Sequence, residues 1–360
     1  MKNSRLDHKT LGILAWPAYA TKSSNPYNYL IYKNIEETGH LVYEFDFNIK
    51  NFARYLFSSK YDILHIHWPT NILTYSTFLQ ASRRLLMFKC FIKTIKLLGK
   101  KIVWTVHNLE SHESEHPKLQ QKLNNFLYKN TDGFISLNAS GLNTIKRSTT
   151  LTKKQKFVYI SHPLYTNYYP NHFNKAESRA KLAIAENKQV FLFLGQIRRY
   201  KNILGLIKAF KELELANKFL LIAGNVHKEL DDELTAAVAN QDNILLKNSF
   251  ITDNDLHLYL NSADLVVTPY SKIFNSGSVF LNLSFNRPTL APKTDTFIEL
   301  RKQFGDGYIR LYEGELQAKD LVENLQSAIN LGRLNADLIN NFSPKSIAEK
   351  TISFYLSLFD

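Results

Sequence analysis

The sequence predicts an α/β protein of two Rossmann-like, doubly wound domains, each a parallel sheet covered by helices. Three observations carry that expectation. Short apolar runs alternate with helically periodic segments along the chain, the pattern of βαβ units. The alternation breaks once, from His162 to Lys188, where tyrosine, asparagine, proline and charge mark a linker. And 360 residues is about two domains at roughly 150 residues each. Such domains facing a central cleft would turn the carboxyl ends of both sheets toward a ligand. The expected division is residues 1–165, residues 166–342, and a last helix over 343–360 that packs back toward the first domain.

In order, strands are predicted at Leu11–Trp16, Leu41–Phe47, Ile63–Trp68, Lys101–His107, Gly133–Leu137 and Phe157–Ser161. Helices fall between them near Asn28–Thr38, Tyr75–Leu98, Leu119–Lys129 and Ala139–Lys146. The second half repeats the pattern. Its strands are expected at Val190–Leu194, Phe219–Ala223, Ile244–Leu246, Leu265–Pro269, Thr289–Ala291 and Tyr308–Leu311. Its helices are expected near Ile203–Leu213, Asp231–Ala239, Asp253–Asn261, Gly277–Leu283 and Leu316–Leu331, with a closing one at Pro344–Phe359.

Composition excludes several classes. One cysteine, Cys90, rules out an internal disulfide framework and is compatible with a reducing compartment. The start of the chain pairs basic residues with an apolar run, as a signal peptide does, but Asp7 and the Trp16–Pro17 step fit a first strand better. No stretch approaches the roughly 20 apolar residues of a membrane-spanning helix. The net charge of +13 is unevenly placed. Residues 1–170 hold 23 Lys+Arg against 10 Asp+Glu, and residues 171–360 hold 22 against 22. No acid occurs between Asp62 and Glu110, whereas Arg83, Arg84, Lys89, Lys93, Lys96, Lys100 and Lys101 do, interleaved with a broad apolar face. A basic amphipathic helix of this kind suits an anionic membrane surface, and Arg83, Arg84, Lys89 and Lys93 are its expected contacts. The alternative is the solvated face of an ordinary crossover helix. No nucleic-acid-binding motif accompanies the charge.

The chemistry concentrates at two loops of the second half. Val190–Phe210, VFLFLGQIRRYKNILGLIKAF, reads as a buried strand, a break at Gly195, a basic loop and a helix whose cap would be Asn202. Arg198, Arg199 and Lys201 stand beside the free N–H groups of that helix start, where phosphate is readily held. Some seventy residues on, Asn275, Ser276, Gly277 and Ser278 open a second helix after a strand end. Hydroxyls and N–H groups around a glycine form a second anion site. Two phosphate-seeking loops in one domain suit a nucleoside diphosphate. Neither G-x-G-x-x-G after the first strand nor G-x-x-x-x-G-K-[ST] occurs, so the usual dinucleotide and ATP sites are not expected.

These residues carry a resemblance. The stretch LGQIRRYKN-x-x-x-LIKAF is similar to the donor domain of GT-B glycosyltransferases of the family-4-like group, and LNLSFNRPTLAP is similar to a later stretch of the same domain. HIHWP at His65–Pro69 and KIVWTVHNLESHE at Lys101–Glu113 resemble bacterial surface- and exopolysaccharide glycosyltransferases. By that resemblance Lys201 falls on the lysine set against the donor diphosphate, and Arg198 or Arg199 stands in for an arginine whose place is held by Gln196. The carboxylate pair seven residues apart that marks many retaining members is replaced by Phe274 and Asn282. Inversion is therefore favoured over retention, and the ribose contact falls to Asn282 or a neighbour.

In the first half, Glu113, or else Glu110, is the expected general base that takes the acceptor proton, and His107 the expected contact to the donor sugar. His112-Glu113-x-x-His116 is also a literal zinc-protease signature. Pro117 disfavours the helical geometry it would need at His116. The resemblance thus implies a metal-independent transferase with no cofactor, moving a sugar from a UDP- or GDP-linked donor to a saccharide acceptor, expected to be lipid-linked. It would work in cell-surface polysaccharide synthesis, in the cytoplasm at the inner face of the plasma membrane, with no nucleic-acid partner. The rival from another class is a non-catalytic sugar- or nucleotide-binding protein of the same fold.

Overall fold

The structure, a computed structural model, describes residues 10–74, 77–108, 115–147, 154–271, 275, 277–328 and 331–360. It divides into two units, Met1–Pro163 with Pro344–Asp360, and Leu164–Ser343.

The strands of the first unit are β1 (Gly12–Trp16), β2 (Leu41–Glu44), β3 (Ile63–Ile66), β4 (Lys101–Val106), β5 (Gly133–Ser136) and β6 (Lys156–Tyr159). They form one sheet in the order β2-β1-β3-β4-β5-β6, parallel at every pairing. Its helices are α1 (Tyr27–Glu37), α2 (Ile49–Leu56), α3 (Phe78–Leu97), α4 (Pro117–Asn130) and α5 (Ala139–Arg147). The β1, β3 and β4 strands are buried along nearly their whole length, as both-face covering requires, so they read as unbroken apolar runs.

The second unit begins inside the predicted linker. Residues 165–174 are irregular, but α6 (Lys175–Lys181) follows, capped by Asn174 and Glu177 in a reciprocal capping box. Arg179 on α6 is buried against Asp264, 2.7 Å away, so this segment is part of the unit and not a free connection. Polar composition masked it because its buried residues are a serine and an arginine, Ser178 and Arg179. The remaining elements are β7 (Gln189–Leu194), α7 (Ile203–Glu212), β8 (Lys218–Ala223), α8 (Asp231–Val238), β9 (Ile244–Lys247), α9 (Leu256–Ser262) and β10 (Leu265–Val267). Then come α10 (Gly277–Ser284), β11 (Thr289–Pro292), α11 (Asp295–Phe304), β12 (Ile309–Tyr312), α12 (Ala318–Ala328) and α13 (Ala336–Asn341). The sheet order is β12-β11-β10-β7-β8-β9, again parallel throughout. The twelve strands fall where the alternation predicts them, and two doubly wound sheets are the observed fold class. Four helices escaped sequence reading: α2, α6, α11 and α13.

A last helix, α14 (Pro344–Ser357), belongs to the first unit and packs against α1. Ile347, Ala348, Ile352, Phe354 and Tyr355 join the core that β1, β3 and α1 build. Gly133 makes the close approach possible, since a Cβ there would lie 2.9 Å from the Phe354 ring.

Candidate active site

In the second unit, β7 ends at Leu194 and the chain turns at Gly195, whose φ of +132° only glycine adopts readily. The neighbouring turn presses on it: a Cβ on Gly224 would stand 1.9 Å from the Gly195 carbonyl oxygen. Past the strand ends the two loops stay paired, with the Ile197 N–H donating to the Asn225 carbonyl at 2.9 Å and the His227 N–H to the Ile197 carbonyl at 3.1 Å. Arg199–Lys201 forms one 3-10 turn before α7. Asn202 occupies the residue before α7 in the left-handed conformation, φ 51°, and makes no side-chain cap bond. The expected cap bond is therefore absent, although the Asn202 side chain lies against the first turn of α7, where a Cβ on Gly205 would stand 2.7 Å from its Oδ1.

The lysine of that turn is held among rings. Lys201 Nζ lies 5.3 Å from the Tyr270 ring centroid, 5.8 Å from Phe193 and 6.0 Å from Tyr200. Burial, with Arg198 nearby as the second cause, lowers its pKa to about 8. An ammonium desolvated in this way, faced by aromatic π-clouds and with no carboxylate among its named neighbours, is poised for an anion. Tyr270 comes from the loop after β10, and its hydroxyl lies 2.9 Å from Ser278 Oγ in the first turn of α10. The same loop is tied to the basic turn by Ser271, whose N–H and hydroxyl both donate to the Tyr200 carbonyl at 2.9 Å. The two loops predicted to seek phosphate are thus joined, and Lys201, Ser278 and the α10 N-terminus at Gly277 share one neighbourhood.

The other predicted donor residues separate. Arg198 folds over the turn, its Nη1 donating to the Ile197 carbonyl at 2.9 Å. Arg199 points away toward Glu233 on α8, 3.6 Å off, and both side chains are exposed; of the two arginines, Arg198 is the one beside Lys201. Asn275 is half-buried ahead of α10. Ser276 lies outside the described residues. Asn282 does not fit the ribose contact expected of it. It is buried within the unit, its Nδ2 donating to Thr289 Oγ1 at 3.1 Å, because position 282 faces β11. Tyr270 and Tyr200 were not singled out from the sequence; an aromatic immediately past a buried strand was the available signal. A separate cavity of about 1240 Å³ opens at the amino ends of β10 and β11, walled by residues 165–175. Open α/β sheets bind ligands at the opposite ends of their strands.

In the first unit, His107 follows β4 and His67 follows β3. His67 Nδ1 is 3.0 Å from His107 Nε2, and the His107 ring stacks on Trp68 at 4.3 Å. Burial, then neighbouring histidines, keeps the pKa values of His67 and His107 well below 6.5, so both are neutral at pH 7. Glu113, with Glu110 and His112, lies outside the described residues. His116 is described, and it stands in a non-helical conformation, φ −133°, immediately before α4. The zinc signature therefore lacks the single helical face it requires. Among the described residues no group of three His, Cys, Asp or Glu side chains could hold a metal ion.

On α3, Leu79, Arg83, Leu86, Cys90, Lys93 and Leu97 succeed one another at four- and three-residue steps and are all exposed. They form one outward stripe in which leucines and a cysteine are interspersed with two cations. Arg84 is exposed beside it, whereas Lys89 is half-buried with its Nζ 5.5 Å from the Phe126 ring. Three of the seven cations counted in sequence turn inward: Lys96 pairs with Asp132 at 2.8 Å, Lys100 donates to the Tyr61 carbonyl, and Lys101 lies over Phe359. No helix among the described residues is long and apolar enough to cross a membrane.

Comparison with known proteins bears on the fold. Residues 174–343 match the family described as Glycosyl transferases group 1. Sucrose-phosphate synthase from Thermosynechococcus elongatus superimposes with a TM-score of 0.70 at 12% identity, over 97% of this chain and 99% of that one. The chain has the GT-B fold, and the family match falls in its second unit. Anabaena HepE in complex with UDP-glucose is a further GT-B neighbour, with a TM-score of 0.69, 12% identity and coverage of 96% and 100%. In sequence, the GDP-mannose:glycolipid 4-beta-D-mannosyltransferase of Xanthomonas campestris pv. campestris is 27% identical over 266 residues, 72% of this chain and 69% of that protein. Within this GT-B chain the matched segment contains the whole Lys201–Tyr270–Ser278 neighbourhood.

Proposed function

We propose that the protein transfers mannose from GDP-mannose to a lipid-linked saccharide, with inversion at the anomeric carbon. The observation that carries the reading is the Lys201 ammonium, half-buried among Phe193, Tyr200 and Tyr270 and joined through Tyr270 to the N-terminus of α10. A diphosphate set there has its charge offset by a cation and by helix N–H groups, which need no metal ion to do so. The choice of GDP-mannose and of a glycolipid acceptor follows the Xanthomonas relative, whose name gives both. GDP-mannose holds its sugar in the α configuration, so a β product such as that relative's requires inversion. The replaced carboxylate pair at Phe274 and Asn282 agrees with it. Glu113 is proposed as the base that deprotonates the acceptor hydroxyl, and His107 as the contact to the sugar.

The acceptor's lipid would keep the protein at a membrane surface, and the α3 stripe supports that placement. Leucines and cations share it, which lets stems enter the headgroup region while charges meet anionic lipid. A thermal-shift comparison of GDP with UDP tests the donor assignment. A ligand at 100 times its dissociation constant adds about 2.7 kcal/mol, and GDP is expected to stabilise at lower concentration than UDP. Stabilisation by UDP alone would assign the donor to the uridine series instead.

A further inference from the structure

The cavity at the amino ends of β10 and β11 has walls that the donor site does not use. Its volume of about 1240 Å³ exceeds the roughly 300–1,000 Å³ of a pocket for one drug-sized ligand, so it has room for a short chain of rings. Hydrogen bonds fix the walls. The Tyr165 N–H donates to Ser284 Oγ at 2.8 Å, and the Leu334 N–H donates to Asn286 Oδ1 at 3.0 Å. Asn261 Nδ2 donates to Asn171 Oδ1 at 2.7 Å and to the Phe173 carbonyl at 2.8 Å. A segment with neither helix nor strand is thereby held in one shape, which lowers the cost of ordering it around a ligand.

No aspartate or glutamate lines this cavity, whereas Lys175, Arg287 and Arg333 do. Arg287 is half-buried and donates to the carbonyls of Phe285 at 3.1 Å and Ala263 at 3.2 Å and to Asn261 Oδ1 at 3.4 Å, so these partners are all neutral. Arg333 is exposed. The acids behind the walls are engaged: Asp264 lies between Arg179 and Lys175, and Glu177 accepts the Asn174 N–H at 2.8 Å. Asp253 acts on Tyr169 from outside the lining. One aspartate between two cations leaves a positive charge, and Arg287 and Arg333 add to it, so the cavity draws anions. Its aromatic side is a corner. Tyr168 and Tyr169 are half-buried, with ring centroids 4.8 Å apart and planes at 81°, a shape against which the apolar C–H face of a sugar ring packs. Asn171 and Asn286 already use their oxygens, so what they add is NH₂ donors.

We propose that this cavity is a second saccharide site, one that binds an acidic oligosaccharide with its rings against Tyr168 and Tyr169 and a carboxylate on Arg333. The hydroxyls of a neutral saccharide donate hydrogen bonds and call for carboxylates to accept them. This wall supplies guanidinium and amide donors instead, which suit a ligand that carries its own carboxylate. Phosphate is the poorer fit, because the helix starts nearby are closed to it. Asn174 and Glu177 cap α6 reciprocally, which sets a glutamate where an anion would lie, and Asn335 caps α13. The site stands at the strand ends opposite the Lys201 turn, so it holds an acidic saccharide chain whether or not the donor site is filled. The inference does not use the assignment of the donor.

Titration calorimetry of the full chain tests this, with tetragalacturonate as the acidic probe and maltotetraose as its neutral counterpart. Tetragalacturonate is expected to bind with the same affinity in the presence and absence of excess GDP or UDP, and maltotetraose about tenfold more weakly or less. Arg333→Ala and Tyr168→Ala should each weaken tetragalacturonate by about tenfold, the scale of one charge-assisted hydrogen bond or one ring contact. Nucleotide binding and the circular dichroism spectrum should not change; Arg333 is exposed, so its variant keeps the test open even where Tyr168→Ala does not fold. Equal affinity for maltotetraose overturns the charge selectivity. Displacement of the probe by nucleotide assigns it to the donor site, and displacement by inorganic phosphate at similar concentration makes the cavity a phosphate site; either overturns the proposal. So does an affinity unmoved by Arg333→Ala, or no binding of tetragalacturonate at millimolar concentration. A failure of the GDP-mannose reading alters none of these outcomes.

Discussion

Lys201 is the residue at which sequence and geometry agree most closely. A cation in a strand-to-helix turn can be named from sequence, but its setting among three aromatic rings cannot, because those rings come from β7, the turn itself and the loop after β10. Asn282 shows the converse. Its place by spacing was right for a polar contact, and the side chain is spent on Thr289 inside the unit. For Lys201→Ala, nucleoside diphosphate binding should weaken by about 1.5–3 kcal/mol, the scale of a charge-assisted hydrogen bond, while the free nucleoside binds as before. Titration calorimetry with both ligands checks it. The pH dependence follows from the lowered pKa. The ammonium is charged below about 8 and is lost as pH rises through it, so diphosphate affinity should be flat near pH 6.5 and fall above pH 8.

Among secondary-structure elements, three aspartates repeat one device. Asp62, Asp132 and Asp264 each stand just before a strand and accept an N–H from the first or second residue of the neighbouring strand: Gly12 at 2.9 Å, Ile102 at 2.8 Å and Val190 at 2.7 Å. Asp264 additionally faces Arg179, both nearly fully buried. Asp264→Ala strands a buried guanidinium and should cost about 3–5 kcal/mol, whereas replacing Asp264 and Arg179 together by apolar residues should cost far less. Urea unfolding of the two variants separates these outcomes. The strands were legible because burial on both faces writes them as apolar runs. Helix α6 was not, since its buried contact is this ion pair and its outer face is polar.

The α3 helix was legible as basic and amphipathic, but only the fold shows which cations face outward. Arg83, Arg84 and Lys93 remain exposed, and Lys96, Lys100 and Lys101 are engaged within the unit. Cations near an anionic surface contribute about 1 kcal/mol each, so reversible attachment is expected. The protein should co-sediment with vesicles containing anionic lipid at 0.1 M salt and release near 1 M, where the Debye length drops from about 10 Å to about 3 Å. Arg83→Gln with Arg84→Gln and Lys93→Gln should abolish sedimentation. Binding indifferent to lipid charge and salt would leave α3 as a solvated crossover helix.

For the whole molecule, two parallel sheets and a matched group 1 domain were legible from alternation and from one glycine-to-lysine stretch. The buried hydrogen bonds that join Tyr32, His65, His67, His107 and Tyr355 were not, since partners such as His65 and Tyr355 lie 290 residues apart in sequence. Sequence periodicity identifies which positions are buried but not which distant polar groups share a hydrogen. Labelled GDP-mannose, incubated with the protein and lipid-linked saccharide from a polysaccharide-producing bacterium, tests the central claim most directly. The expected result is label moved into the lipid fraction in a β linkage with stoichiometric release of GDP. Glu113→Gln should lower that turnover by about 10²–10⁴-fold while GDP still binds. Tight GDP binding with neither release nor lipid-borne label, across acceptor preparations, would contradict the account and leave a nucleotide-binding protein of this fold.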